Sequence, residues 1–188
     1  MIRSLLLAAT LAAPAAAEPE RYALAPDHSQ ILFQFEHLGY STTWGLLSNL
    51  AGTIVFDPDD PAASSVEVAI PLAAMFTGWE PRDEAFRSAE FLGADENPEA
   101  TFRSTAIEVT GEDTGRIAGV LALNGVEREV VLEARLNHRG DHPMERVPWI
   151  GFDATATLRR SDFDAGRFAP FISDEIEVRI SVEARRAD

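Results

Sequence analysis

The feature that most limits what this chain can fold into is a period of two. From Ser29 to Leu38 the odd positions Ile31, Phe33, Phe35 and His37 alternate with Gln30, Gln34 and Glu36, with Leu32 as the exception. Successive side chains of a strand point to opposite faces, so the pattern marks a strand with one buried face. It recurs at Val66, Val68 and Ile70, at Ile117, Gly119, Leu121 and Leu123, and at Val130, Leu132, Ala134 and Leu136. It returns at Ile150, Phe152, Ala154, Ala156 and Leu158, and at Ile176, Val178, Ile180 and Val182. Segments 44–56 and 100–109 are also strand-like, giving about eight strands. Turns are marked by Asp57-Pro58-Asp59-Asp60, by Gly111 to Gly115 and by Asn124-Gly125, the last a strong hairpin signal. One stretch departs: in Pro81 to Leu92, Ala85, Phe86, Ala89 and Leu92 fall at helical spacing, with Pro81 suited to a helix start and Gly93 to a stop. The reading is one all-β domain with one short helix. Its sheet must close into a barrel or stack into a sandwich, because open edges invite aggregation. Alternation admits both, since both bury one face.

Composition excludes several functions. All 16 basic residues are arginine, against 31 acidic ones, for a net charge of -15. The phosphate backbone of a nucleic acid and anionic lipid headgroups would both repel such a chain. With no cysteine there is no disulfide, thiolate nucleophile, iron–sulfur cluster or acylated anchor. Residues 1–17 read as an export signal: Met1-Ile2-Arg3 is a positive start, Leu5 to Ala13 an apolar run, and Ala15-Ala16-Ala17 a small-residue cleavage site before Glu18. The run is shorter than the ~20 residues a spanning helix needs. Residues 18–188 are therefore expected to form an exported domain that is not integral to a membrane, periplasmic if the source is Gram-negative.

Catalytic chemistry is sparse. His28 and His37 stand at opposite ends of one strand, roughly 30 Å apart at about 3.3 Å per residue, too far to share a metal. Asp27-His28-Ser29 reads as turn chemistry. His37 lies on the apolar face, as a core histidine or as a polar handle for a ligand. His138 and His142 have the spacing of a helical metal pair, but Gly140 and Pro143 favour a solvated loop. Asp57, Asp59 and Asp60 resemble the start of a calcium loop whose twelfth position is Val68 where glutamate is needed. Nucleophile-elbow, zinc-protease and phosphate-loop motifs are absent from the sequence. Arg82-Asp83 suit a helix start, with an alternative role for Arg82 at a cavity rim.

A series of short motifs nevertheless runs in order along nearly the whole chain. It opens with Asp27-His28-Ser29, Ile31, Phe33, His37-Leu38-Gly39, Gly45 and Gly52. It continues through Thr77, Arg82-Asp83, Phe86-Arg87-Ser88, Phe91, Asn97-Pro98 and Thr101-Phe102-Arg103-Ser104. It closes with Gly119, Leu121, Asn124-Gly125-Val126, Gly151-Phe152, Arg160-Ser161-Asp162-Phe163 and Ser173-Asp174-Glu175-Ile176. Each motif is weak, but their order is specific, and the series resembles the bacterial YceI-like family of polyisoprenoid-binding proteins. The departures are Leu47 where phenylalanine is usual, Glu129 where proline is common and Asp164 where glycine often follows the aromatic.

The resemblance implies a single antiparallel, eight-stranded, lipocalin-like barrel whose apolar cavity holds a long isoprenoid lipid or quinone as ligand, with no other cofactor and no metal. The cavity wall is then expected from Ile31, Phe33, Phe35, Phe102, Leu121, Leu132, Phe152 and Ile176, with Trp44, Phe86 and Phe91 near the entrance or helix side. His37 and Arg82 are the candidate headgroup contacts. Such a site needs apolar walls and exclusion of water, worth about 25 cal/mol per Å² buried, and no catalytic motif. Two alternatives stay open: an enzyme acting on such a lipid, and a filled-core module binding a protein partner. A homodimer is also open, to be sought at Leu32 or Val131 on otherwise polar faces.

Overall fold

Staves of a barrel must be long, and two of the staves here are each built from two strands. The structure, a computed structural model, describes residues 18–187; the export signal read in residues 1–17 lies outside them. Strand β1 (Glu20–Leu24), which the alternation did not disclose, and β2 (Gln30–His37) lie end to end along the last strand, β10 (Glu175–Arg186). Leu24 faces Ala184, and Gln30 faces Ser181. Between them the chain loops out, and Ser29, only 2% exposed, repairs the gap. Its Oγ donates to the Glu183 carbonyl at 3.2 Å and accepts the Glu183 N–H at 3.3 Å.

The next stave is likewise β3 (Ser41–Leu47) followed by β4 (Ala51–Phe56), which pair with β2 and β1. Between them Asn49 takes a left-handed φ of 58°, so the expected continuous strand over 44–56 breaks there. Strands β5 (Ser65–Pro71), β6 (Glu99–Val109), β7 (Thr114–Leu123), β8 (Val126–Asp141) and β9 (Pro148–Arg159) then pair as an antiparallel meander. The β1–β10 pairing closes the ring. The ten strands of the described residues thus make a closed barrel of eight staves, which decides against the sandwich. Asn124 and Gly125, both left-handed at φ 52° and 72°, form the two-residue turn between β7 and β8, the geometry that matches strand twist. Asp164 holds a φ of 54°, a conformation that aspartate tolerates.

The helix is shorter than its periodicity suggested. Helix α1 spans Glu80–Arg87, and Ser88 ends it by turning its hydroxyl back on the Ala85 carbonyl at 2.7 Å, the local competition that makes serine a poor interior helix residue. Phe91 and Leu92 follow in turns that fold over the helix end. The Arg82-Asp83 pair anchors its start. Asp83, 1% exposed, accepts from the Thr77 N–H at 2.8 Å and from its hydroxyl. Arg82 donates to the Thr77 hydroxyl and carbonyl at 2.8 and 2.6 Å.

Two register shifts, between Ser104 and Ala106 and between Leu136 and His138, bend β6 and β8. A shift of one residue also exchanges inward and outward faces. Beyond the shifts, Ile107, Val109 and Arg139 therefore point inward.

Ser29→Ala leaves the part-buried Glu183 N–H without its acceptor. It is expected to cost about 1–3 kcal/mol in urea unfolding, and Ser29→Thr, which keeps the hydroxyl, much less.

Candidate binding cavity

An inward face that filled the barrel would be buried throughout. Here it is not: Val130, Leu132, Leu136, Phe152, Leu158, Ile176 and Ile180 point inward yet remain only half-buried. They border a cavity of about 740 Å³, in the upper part of the roughly 300–1,000 Å³ range of small-molecule pockets. The lumen runs from Phe86 and Phe91 beside α1 to Pro58, Gly111–Thr114 and Asn137–Arg139 at the opposite turns.

Of the expected site residues, Ile31, Phe33, Phe35, Phe86, Phe91, Phe102, Leu121, Leu132, Phe152 and Ile176 all line it. Three do not. Trp44 pairs with Gln34 and shares the outer face of the barrel, where it is 45% exposed; Thr43 and Gly45 hold the inward positions of that strand. His37, the last residue of β2, lies outside the cavity lining, its backbone bridged to Ile172. Arg82 is occupied by Thr77, with its guanidinium 6.0 Å from the Trp79 ring.

Two glycines give the lumen its width. A Cβ on Gly45 would fall 2.1 Å from the Phe33 ring, and one on Gly119 would fall 2.4 Å from the Phe102 ring. Each ring therefore lies flat over a cross-strand glycine, against the wall and out of the lumen.

The two ends differ. At the α1 end rings stand in a row: Phe35 to Phe86 at 5.6 Å, Phe86 to Phe91 at 5.3 Å and Phe91 to Phe168 at 6.1 Å. The β9–β10 connection is held over this end by Arg160, which donates to the carbonyls of Ala165, Arg167, Ile172 and Ser173 at 2.9–3.2 Å. Burial lowers the Arg160 pKa, and the Asp174 charge opposes that shift. Asp174 accepts from the Ser161 hydroxyl at 2.6 Å and its N–H at 2.9 Å. The hydroxyl contact above all holds its carboxyl below the usual aspartate value.

The opposite mouth is polar. Glu112, Asp113, Asn137, His138 and Arg139 line it, and apart from His138, which was considered only as half of a metal pair, none was singled out from sequence. The signal missed was the β8 register shift, which turns Arg139 inward against the strict alternation. Arg139 lies over the Phe56 ring at 5.6 Å and reaches Glu20 at 3.1 Å. Glu20 also accepts from the Tyr22 hydroxyl at 2.5 Å and meets Arg186 at 2.8 Å. Burial pushes the Glu20 carboxyl up, but these three donors together hold it below its ordinary value. Burial, then the adjacent carboxylate, pushes the Tyr22 hydroxyl up. His142, by contrast, lies 4.9 Å from the Trp149 ring, with its Nδ1 accepting from the Glu145 N–H. Asp57 Oδ1 accepts the N–H groups of Asp59 and Asp60 at 2.9 and 3.0 Å, the geometry of a turn.

Comparison with known proteins follows the same outline. The profile of the YceI-like domain matches residues 22–184. A UPF0312 protein of Pseudomonas aeruginosa (strain LESB58) is 38% identical over 159 residues, covering 85% of this chain and 82% of its own. Among solved structures, Burkholderia cenocepacia BcnA superposes with a TM-score of 0.77 at 21% identity, covering 86% of this chain and 99% of its own. A polyisoprenoid binding domain from Saccharophagus degradans superposes with a TM-score of 0.69 at 16% identity, over 88% of this chain and 98% of its own. At these identities the two structures bear on fold alone.

Two outcomes follow. Gly45→Ala should drive the Phe33 ring into the lumen and cost about 1–3 kcal/mol of stability, with much of the loss recovered when Phe33→Leu is added; a urea double-mutant cycle measures both. Because the folded-state pKa of Glu20 is depressed, its contribution is complete above the ordinary value of 4.5 and is lost as pH falls through the lower folded value. Glu20→Gln should therefore lower stability at neutral pH and flatten the acid limb of a stability-against-pH curve, with the two proteins converging in acid.

Proposed function

The chain belongs to the family of YceI-like domains, and on that premise we propose that it is an exported carrier or reservoir that holds a long-chain isoprenoid lipid or quinone inside the barrel. The observation that carries this reading is the unfilled apolar lumen of about 740 Å³. A filled-core binding module would have no use for a row of half-buried valines, leucines and phenylalanines around empty space. A polyprenyl chain offers almost no hydrogen-bonding groups, and the wall between the two ends offers it almost none in return. The name of the Saccharophagus degradans domain, a polyisoprenoid binding domain, points the same way.

The headgroup belongs at the polar mouth in this reading. Asn137, His138 and Arg139 stand there, taking the part first assigned to His37 and Arg82. Leu47, the departure from the usual phenylalanine, lies in the cavity wall, so the smaller side chain widens the lumen for its ligand.

The carrier works from water. Among the described residues no helix is long and apolar enough to cross a membrane. The outward face carries exposed charges such as Glu129, Glu133 and Arg135 on β8, which a lipid-facing barrel surface would not tolerate. Export to the periplasm, read from residues 1–17, completes the proposal.

Leu132→Glu places a carboxylate in the lumen and should weaken binding of a fluorescent polyprenol by more than about 100-fold, the order expected for burying an unpaired charge. Glu133→Gln, one residue along on the outer face, should bind as the parent does. Both are read by fluorescence titration after circular dichroism has shown the barrel folded. Equal affinity in the two variants would overturn the lumen as the site.

A further inference from the structure

Large exposed apolar side chains are concentrated at one end of this barrel. Leu38, Tyr40, Phe76, Trp79, Phe168 and Phe171 all lie in the three connections at the α1 end, with Tyr40 88% and Phe171 70% exposed. These connections are joined into one rim. The Leu38 N–H donates to the Phe171 carbonyl at 2.8 Å, Phe76 exchanges backbone hydrogen bonds with Leu46 on β3, and Phe168 packs on Phe91. Through Phe91, Phe86 and Phe35 the rim is continuous with the lumen wall.

Two further observations concern what the rim meets. Leu38 and Phe168 hold left-handed backbones, φ 55° and 65°, which bulky side chains seldom adopt; at Leu38 this forms, with Gly39, the turn of the β2–β3 hairpin, and in both places it leaves the apolar side chain in water. Two arginines of the rim, moreover, are paired locally. Arg167 pairs with Glu90 at 2.9 Å while lying 4.7 Å over the Phe168 ring, and Arg87 pairs with Glu80 at 2.8 Å. Aromatic rings with arginines beside them make the composition of a membrane–water interface.

We propose that this rim docks on a lipid bilayer, its rings at headgroup level and the α1 end of the lumen facing the membrane, so that ligand passes between bilayer and barrel without crossing water. The choice of a bilayer over a protein rests on the carrier reading above. The leaflet is zwitterionic or neutral, because a chain of net charge -15 is repelled by anionic lipid.

The three tryptophans provide the test. Trp79 lies in the rim, and Trp149 opens β9 at the far end. Single-tryptophan variants (Trp44→Phe with Trp149→Phe, or Trp44→Phe with Trp79→Phe) are mixed with phosphatidylcholine vesicles brominated in their acyl chains. Docking predicts quenching of Trp79 and none of Trp149; equal quenching, or none of either, overturns it. Phosphatidylglycerol vesicles at low salt should retain less protein than phosphatidylcholine. Tyr40→Ser with Phe171→Ser should reduce vesicle co-sedimentation about tenfold and slow capture of a fluorescent polyprenol from vesicles, while capture of the same polyprenol from cyclodextrin is unchanged. Unchanged co-sedimentation overturns the proposal, as does a dimer dissolved by these substitutions in sedimentation velocity without any vesicle binding. Vesicle docking without capture from cyclodextrin sinks the carrier reading and leaves the docking surface standing; capture without docking does the reverse.

Discussion

Everything in this molecule depends on the seam where the first stave meets the last. β10 must be paired along its length by a stave that the chain interrupts after Leu24 and resumes at Gln30, and Ser29 holds the gap by offering its hydroxyl to both backbone groups of Glu183. Without that seam two edges would lie open and the inward apolar face would be wet. With it, the sheet becomes a ring whose diameter is set by the number of staves. Eight staves leave an interior that side chains can just fill or, where small residues stand opposite large ones, just fail to fill.

This barrel fails to fill it, by design of its cross-strand pairs. Phe33 over Gly45 and Phe102 over Gly119 lay their rings against the wall, and the half-buried side chains opposite meet empty space. The same rings that would have made a core instead line an apolar lumen. Polarity is pushed to the ends, which are unlike: a network of Glu20, Tyr22, Arg139 and Arg186 at one, a row of phenylalanines and an arginine-stitched connection at the other. On the proposed carrier reading, that asymmetry gives a bound chain a direction.

Much of this was legible in the sequence, and the rest was hidden for identifiable reasons. Alternation located most of the strands, and the resemblance in its ordered motifs chose the barrel over the sandwich. The wall residues followed from phase: Ile31, Phe33 and Phe35 had to share a face, and they line the lumen. Trp44, which the resemblance put near the entrance, belongs to the outer face, as its pairing with Gln34 requires. Strict alternation would leave Arg139 outside, and it enters the lumen only because β8 slips one residue after Leu136. A slip of this kind is decided by the neighbouring strand and leaves no local mark. β1 was missed because Ala25 and Pro26 cut it short, and its place depends on a partner more than 150 residues away. Helix α1 was overextended because Ala89 and Leu92 keep helical spacing while lying in turns beyond Ser88.

The most direct measurement of the account is native mass spectrometry of the protein, purified without detergent from the cell that makes it, followed by solvent extraction and identification of what is bound. The account predicts one long apolar isoprenoid or quinone per barrel, lost together when the protein is denatured. A protein that arrives empty, and stays empty after incubation with polyprenols and quinones, would contradict it.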